Sequence, residues 1–224
     1  MKKKWIILGA AVLVVALVVL AVILIPKSTG DSNTVVICGV TYDINITSLD
    51  LNGQRNPDIE EILKLKQLKE LDMRGTLLTI ENYERLRAAL PDCYIRWNVP
   101  VDGFYNDNEG TVVTVIKFTE EGLDALKYFP NLEQVDGFEC EDYEYLALAQ
   151  RQYPDVDVWY KVPLGMADIQ SDCTGLKLKK LDVEALRHAL TYLPNLRDVT
   201  FDGEQPTEEE LKQLKEDFPE VNFK

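Results

Sequence analysis

The chain has 224 residues, of which 46% are hydrophobic and 28% are charged. It is therefore long enough to bury a sizeable core in one globular domain. The formal net charge is -14 at pH 7, and an acidic surface of this kind repels phosphate backbones and anionic lipid headgroups. Nucleic acid is thus disfavoured as a partner, while basic or neutral partners are favoured.

The N-terminal segment, 1–26, predicts a transmembrane anchor. Positions 6–25 contain neither charge nor proline, and about 20 such residues at about 1.5 Å rise span a hydrocarbon core of about 30 Å. Three lysines at positions 2–4 precede the run, so the positive-inside rule places the N-terminus in the cytoplasm. A cleaved signal peptide is the alternative, disfavoured by the length of the run and the lack of an A-x-A pattern. Residues 27–34 are polar and predict a flexible tether.

The next segment predicts a β-hairpin at residues 35–45. Two β-rich halves flank Gly39, in the order expected for two short strands and a turn. A domain built from repeats needs a cover for its open end. We therefore expect this hairpin to cap a domain that extends over residues 35–224.

Proline-containing markers recur at a regular interval along the chain. Pro91, Pro154 and Pro219 each follow a bulky residue and precede an acid, at spacings of 63 and 65. Pro130 and Pro194 each precede Asn-Leu, at a spacing of 64. Independent markers that agree on one period indicate an internal repeat. The expected units are residues 46–103, 111–165 and 170–224.

Each unit carries three strand signals separated by amphipathic helical patterns. In a typical signal an apolar residue is followed, after two variable positions, by an apolar-x-apolar alternation. The predicted strands lie at residues 46–51, 68–73, 95–97, 116–118, 132–137, 158–160, 173–178, 196–201 and 221–223. The helix starts have N-cap candidates in Thr79, Thr119 and Asp182, and Thr207 begins a capping box. Helices that alternate with strands predict a parallel sheet with helices outside.

The segment Leu68 to Leu78 resembles the core of the leucine-rich repeat, L-x-x-L-x-L-x-x-N/C-x-L. Leu71 and Met73 occupy apolar positions of that pattern, and Thr76 stands where Asn or Cys is usual. The resemblance implies an α/β fold: a short solenoid with a parallel sheet and outer helices, here preceded by one transmembrane helix. It also implies a bacterial, membrane-anchored surface protein that recognises its ligand on the concave face. The resemblance does not identify the ligand.

The residue between the two apolar positions of each strand points away from the core. The candidate binding residues on this face are Asp72, Arg96, Lys117, Asp136, Trp159 and Lys177. The same row also contains Asp50, Thr200 and Asn222. Trp and Arg are typical interface anchors, so Trp159 and Arg96 are the first choices. The alternative is that Trp159 packs against Tyr94 or a neighbouring loop.

No residue set predicts catalysis. His188 is the only histidine and lies on the polar side of its predicted helix, so a solvated surface residue is the favoured interpretation. Cys38, Cys93, Cys140 and Cys173 lack the CxxC spacing of a zinc site. Free thiols are favoured, with a bridge between Cys140 and Cys173 as the alternative. We expect no cofactor, no bound metal and no enzymatic activity.

These observations predict a single-pass cell-membrane protein whose extracellular domain recognises a protein or an envelope ligand. Two other classes stay open. In one, the domain is a structural envelope protein that self-assembles through its C-terminal strand. In the other, it is a glycan-acting hydrolase with a pair of carboxylates, although no residues single out such a pair.

Overall fold

The order of elements repeats three times along the chain. A computed structural model describes residues 33–224. Within this range each repeat consists of an antiparallel hairpin followed by strand, helix, strand, helix and strand. The hairpins begin at Thr34, Asn98 and Lys161, at spacings of 64 and 63. The structural repeat therefore runs from hairpin to hairpin, and its period is that of the proline markers.

The elements of the three units follow one another without long loops. The first unit contains β1 (Thr34–Ile37), β2 (Val40–Asp43), β3 (Ser48–Asp50), α1 (Ile59–Ile62), β4 (Glu70–Asp72), α2 (Ile80–Ala89) and β5 (Tyr94–Arg96). The second contains β6 (Asn98–Val101), β7 (Phe104–Asp107), β8 (Val112–Thr114), α3 (Glu120–Ala125), a 3-10 turn (Leu126–Tyr128), β9 (Gln134–Asp136), α4 (Tyr143–Gln152) and β10 (Asp157–Trp159). The third contains β11 (Lys161–Leu164), β12 (Ala167–Gln170), β13 (Gly175–Leu178), α5 (Val183–Tyr192), β14 (Asp198–Phe201), α6 (Glu208–Asp217) and β15 (Asn222–Phe223).

The described strands form six small sheets, and the expected solenoid with one continuous parallel sheet is wrong. Three sheets are parallel and three-stranded, in the orders β3-β4-β5, β8-β9-β10 and β13-β14-β15. The other three are the antiparallel hairpins β1-β2, β6-β7 and β11-β12. Each later hairpin follows the last parallel strand of the unit before it, so the parallel pairing stops there.

A single buried aromatic residue lies at each point where the chain turns into a later hairpin. Only Trp97 separates β5 from β6, and only Tyr160 separates β10 from β11. The Trp97 backbone N–H donates to Asn108 Oδ1 at 2.9 Å, and its carbonyl accepts from the Asn108 N–H at 3.0 Å. Asn108 lies just after β7, so these bonds fold the hairpin back onto the end of the preceding sheet.

The expected transmembrane helix, at residues 1–26, lies outside the described residues. Within residues 33–224 no helix is long and apolar enough to cross a membrane. The described chain is thus α/β with several small sheets, and not the predicted solenoid.

One apolar core runs through the described chain. In the first two parallel sheets the central residue of every strand is buried, as in Leu49, Leu71 and Ile95, which pair with one another across β3, β4 and β5. In the third sheet Val199 is buried, while Leu176 of β13 is partly buried. Between the first two units, the fully buried Trp97 stacks on Tyr83 at a centroid distance of 4.2 Å. Such an aromatic pair adds roughly 0.5–1.5 kcal/mol beyond its buried area.

The predicted helix starts are confirmed. Thr79 accepts from the backbone of the third residue of α2, and Thr119 and Asp182 do the same at α3 and α5. At α6, Thr207 and Glu210 bond to each other's backbone N–H and complete the capping box. Each bond satisfies a helix N–H that has no partner within its own helix.

Candidate functional site

The parallel sheets bring two pairs of the predicted binding residues together. Asp72 and Arg96 pair across β4 and β5, and Asp136 and Trp159 pair across β9 and β10. All four side chains are at least partly exposed. The two pairs belong to separate sheets, so they form two sites and not one continuous face.

Lys117 lies outside the strands of its sheet. The strand at this point is β8, at residues 112–114, and not residues 116–118 as predicted. Thr114 pairs with Asp136 and occupies the row position that was expected for Lys117. Lys117 is exposed in the bend that follows. Lys117 is therefore not part of the candidate site.

The third unit presents only exposed ion pairs on this face. Lys177 Nζ lies 3.3 Å from Asp202, and both side chains are exposed, so the pair adds little stability. Asn222 pairs with Asp198, two residues away from Thr200 in the expected row. Lys224 comes two residues after Asn222 and takes the expected row position. Its Nζ donates to Asp198 Oδ1 at 2.6 Å.

In the first unit, an arginine fills the space between the sheet and the following hairpin. Arg74 donates to both carboxylate oxygens of Asp72, with Nε at 3.0 Å and Nη2 at 2.5 Å. Its Nη1 lies 3.5 Å from Asp107 Oδ2, at the end of β7. The hydrogen bond from Arg74 lowers the pKa of Asp72 below its ordinary value of 3.8. This guanidinium therefore links the two sheets through carboxylates.

Arg96, one of the two expected anchors, already has partners within the chain. Its Nε lies 3.6 Å from Glu109 Oε2, and its Cζ lies 5.8 Å from the centroid of the Tyr94 ring. The Tyr94 hydroxyl donates to the same Glu109 carboxylate, which raises the pKa of Tyr94. Arg96 is thus part of an intramolecular cluster, and it is a weaker candidate for ligand contact than Trp159.

The second unit has an open cleft at the corresponding place, which we call the Trp159 cleft. Its volume is about 370 Å³, within the range of small ligand sites. Its lining consists of Asp136, Phe138, Trp159, Tyr160, Gln170, Ser171 and Asp172. Trp159 is 50% exposed and Phe138 is 39% exposed. The cleft lies between the sheet of β9 and β10 and the hairpin of β11 and β12.

Buried hydrogen bonds hold the hairpin wall of the Trp159 cleft against the sheet. The hydroxyl of the buried Ser171 donates to the Val158 carbonyl at 2.7 Å and accepts from the Tyr160 N–H at 3.2 Å. The Ser171 N–H donates to the Tyr160 carbonyl at 2.9 Å. The wall that carries Gln170 and Asp172 is therefore fixed relative to Trp159.

A glycine allows a helix to pack directly behind this cleft. Gly137 lies between Asp136 and Phe138, and its N–H donates to the Trp159 carbonyl at 2.8 Å. A Cβ at this position would collide with the side chain of Leu146 on α4. Gly137 is thus required for the close approach of α4, although in the sequence it weakens the strand signal.

The carboxylates of the cleft lack an internal cation. Asp136 Oδ1 accepts from the backbone N–H of Phe138 at 3.2 Å. Across residues 33–224, neither Asp136 nor Asp172 has an ion pair with a lysine, arginine or histidine. Two negative groups therefore flank an exposed indole with no positive charge between them.

Phe138 separates the Trp159 cleft from a second cleft of about 350 Å³. Lys161 places its Nζ 3.5 Å from the centroid of the Phe138 ring, in a cation-π contact. Lys161 lines the second cleft together with Glu139 and Asp168, and does not line the first. Trp159 is thus the exposed aromatic side chain of the first cleft that has no cation of the described chain in contact with its ring.

His188 has partners that the sequence did not reveal. Its Nε2 lies 2.7 Å from the Tyr143 hydroxyl, and its ring meets Tyr192 edge-on at 5.1 Å. The three residues join α4 to α5, with no nucleophile among them. A structural contact between the second and third units is the simplest interpretation of His188.

All four cysteines are free thiols in the structure. Cys93 and Cys140 are buried, and this burial raises the pKa of both thiols. The alternative bridge between Cys140 and Cys173 does not form. Buried thiols of raised pKa pack as small apolar groups and react poorly.

A comparison with protein-family models finds no match for the chain, and a comparison with curated proteins finds none either. The resemblance to leucine-rich repeats therefore stays a prediction.

Proposed function

We propose that the protein is a recognition module that binds a partner protein, and that the Trp159 cleft is its principal contact. The observation that carries this proposal is Trp159 itself: a half-exposed indole on the wall of an open cleft, with carboxylates on either side. Aromatic side chains in such pockets are frequent hot spots of protein interfaces. An indole combines a large apolar surface with one hydrogen-bond donor, which suits a contact that closes over it.

The surroundings of the cleft support a protein partner. Phe138 is exposed on the cleft wall, and Met166 is fully exposed at the turn between β11 and β12. Aromatic residues and methionine are enriched in protein interfaces, and exposed apolar groups rimmed by polar ones mark such surfaces. The net charge of -14 favours a basic partner surface. The similarity of residues 68–78 to leucine-rich repeats agrees with a recognition role, while the place of action outside the cell membrane rests on residues 1–26 and stays a prediction.

The test is a quantitative comparison of partner recovery between the wild-type chain and Trp159→Ala. Both full-length proteins are immobilised at equal density and exposed to the same cell-envelope extract. We expect proteins recovered by the wild type to be depleted about tenfold or more with Trp159→Ala, the loss typical of a hot-spot residue. The matched control is Ile116→Ala, because Ile116 is 59% exposed and lies outside the cleft lining.

Three results would contradict the proposal. If Ile116→Ala and Trp159→Ala reduced recovery equally, the cleft would have no special role. If the only species recovered in a Trp159-dependent way were a second copy of this chain, with matching self-association by sedimentation, the domain would be a self-assembling structural protein. Release of sugar from envelope glycans by the purified chain would instead indicate the hydrolase class.

A further inference from the structure

The residues of the Trp159 cleft have counterparts in the preceding unit, 63 or 64 positions earlier. The cleft residues that face the open space are Asp136, Phe138, Trp159, Gln170 and Asp172. Their counterparts, in the same order, are Asp72, Arg74, Arg96, Asp107 and Glu109. The strand register supports this alignment, because β9 pairs with β10 at the same row positions as β4 pairs with β5. The two places are therefore alternative versions of one structural site.

In the preceding unit this site is filled by the chain's own guanidinium groups. Arg74 bonds to Asp72 and reaches Asp107 on the hairpin. Arg96 pairs with Glu109 and lies over the ring of Tyr94. Arg74 thus bridges sheet and hairpin between two carboxylates, and Arg96 adds one ion pair with Glu109.

In the second unit two of the three carboxylates persist, Gln170 replaces Asp107, and neither arginine is present. Asp136 and Asp172 stand where Asp72 and Glu109 stand in the first unit. The arginine positions hold Phe138 and Trp159, whose aromatic rings line the cleft without supplying charge. Asp157 adds a further exposed carboxylate on the same strand face as Trp159. The site has kept two carboxylates, Asp136 and Asp172, and has lost both arginines.

We propose that the Trp159 cleft binds the guanidinium group of an arginine side chain from a basic segment of the partner protein. This inference rests on the proposed function and specifies its chemistry. The incoming guanidinium stacks on the Trp159 indole and bonds to the Asp136 and Asp172 carboxylates. The arrangement reproduces, between two chains, the bridge that Arg74 and Arg96 make within one.

Guanidinium suits this cleft better than the ammonium group of lysine. A planar, delocalised cation stacks on an aromatic face while it donates to carboxylates in its own plane. Ammonium offers a compact, strongly hydrated charge that cannot make both contacts as well. A neutral sugar would also stack on Trp159, but it would leave the two carboxylates without the positive charge that their counterparts have. The negative net charge of the chain attracts basic segments to the cleft at long range.

The experiment uses three short peptides on the full-length protein: acetyl-Gly-Arg-Gly-amide and its lysine and citrulline equivalents. Citrulline has the shape of arginine without the charge. Binding is followed through the indole N–H resonance of Trp159, at about 0.15 M salt so that non-specific attraction is screened. We expect saturable shifts with the arginine peptide, about tenfold weaker binding of the lysine peptide, and no saturable shift with the citrulline peptide.

Two variants link the binding to the cleft. Asp136→Asn keeps the shape of the side chain and removes its charge, and we expect it to weaken binding of the arginine peptide about tenfold. The matched control is Asp50→Asn, which removes one exposed carboxylate from the first sheet and should leave the affinity unchanged. Equal binding of arginine and citrulline peptides, or an equal effect of both variants, would overturn the assignment of a guanidinium site.

Failure of this inference is distinguishable from failure of the proposed function. If a neutral oligosaccharide saturated the Trp159 resonance and the arginine peptide did not, the cleft would recognise a ligand but not an arginine. If a recovered partner protein depended on Trp159 yet bound equally after all its exposed arginines were changed to glutamine, the recognition role would stand without the guanidinium. If partner binding depended neither on Trp159 nor on the partner's arginines, the Trp159 cleft would not be a binding site.

Discussion

Arg96 and Trp159 occupy the same position in consecutive units: each is the last residue of the third parallel strand and pairs with an aspartate on the strand beside it. Arg96 forms an ion pair with Glu109 of the following hairpin and lines a cleft of about 170 Å³, whereas Trp159 has no such partner among the described residues and lines one of about 370 Å³. The repeat thus contains a closed and an open version of one site. This contrast, more than the shape of either site alone, supports the proposed binding role.

The contact between Arg74 and Asp72 in the first unit predicts how the Asp72 pKa responds to loss of the arginine. Changing Arg74 to Met removes the hydrogen bonds and charge that lower the Asp72 pKa, so this pKa should rise towards its ordinary value of 3.8. A pKa lowered by folding stabilises the protein above the unfolded-state pKa, and that contribution is lost as pH falls through the folded-state pKa. The stability difference between wild type and variant should therefore be present at pH 7 and shrink below about pH 4.

This prediction is checked by following the Asp72 carboxyl resonance by NMR during an acid titration, together with urea unfolding at each pH. Arg55→Met is the control, because Arg55 is exposed and should leave the Asp72 titration unchanged. An unchanged Asp72 pKa in Arg74→Met would show that the guanidinium does not control this carboxylate.

Gly137 should tolerate no side chain. Gly137→Ala places a methyl group against Leu146, so α4 must shift, and overpacking of this kind costs about 1–3 kcal/mol. The control is Gly175→Ala, where the nearest atom to a new Cβ is 4.0 Å away. The midpoint of urea unfolding should fall clearly for the first variant and change little for the second. Equal midpoints for the two would mean that α4 does not pack as tightly as described.

The hairpin wall of the cleft depends on one buried hydroxyl. Ser171→Ala leaves the Val158 carbonyl and the Tyr160 N–H without their side-chain partner, which should cost about 1–3 kcal/mol. Ser48→Ala removes an exposed hydroxyl and should change the unfolding free energy by less than about 0.5 kcal/mol. Amide hydrogen exchange of β12 should also become faster in Ser171→Ala, and unchanged exchange would argue against this anchoring role.

The capping box of α6 should respond to pH. Bonds from the Thr207 backbone N–H and hydroxyl lower the Glu210 pKa below its ordinary value of 4.5. Thr207→Ala should destabilise the protein by about 1 kcal/mol and raise the Glu210 pKa. The contribution of Glu210 is present above about pH 4.5 and is lost as pH falls through its folded-state pKa. Its carboxyl resonance in wild type, Thr207→Ala and the exposed control Thr41→Ala measures this directly.

The repeat and most parallel strands were predictable because local residue types determine them. Apolar alternation marks the buried positions of each strand, and the N-cap residues mark the helix starts. The prediction of a strand at residues 116–118, where the structure has β8 at residues 112–114, was wrong for a physical reason. The run from Val112 to Phe118 contains two apolar alternations, and only pairing with β9 selects the one that buries Val113 and Val115 and leaves Ile116 exposed.

The hairpins β6-β7 and β11-β12 were missed although their signals are present in the chain. Asp102 and Gly103 form a two-residue turn of positive φ, a combination that favours hairpins, but prolines in both β6 and β11 argue locally against strands. Each of the first two parallel sheets ends where the following hairpin begins, whereas the sequence predicted one parallel sheet that continues into the next unit. The Trp159 cleft was not predictable from the sequence either. Trp159 and Asp172 line the same cleft only because the hairpin folds back on Tyr160.

The most direct test of the account exchanges the open and closed versions of the site. Trp159→Arg should place a guanidinium beside Asp172 and abolish binding of the arginine peptide, whereas Ile116→Arg, with the same charge change, should bind as the wild type does. Arg74→Phe combined with Arg96→Trp should open the first site and raise the stoichiometry from one peptide per chain to two, as measured by isothermal titration calorimetry. Unchanged binding in Trp159→Arg together with a stoichiometry of one in the double variant would contradict the account.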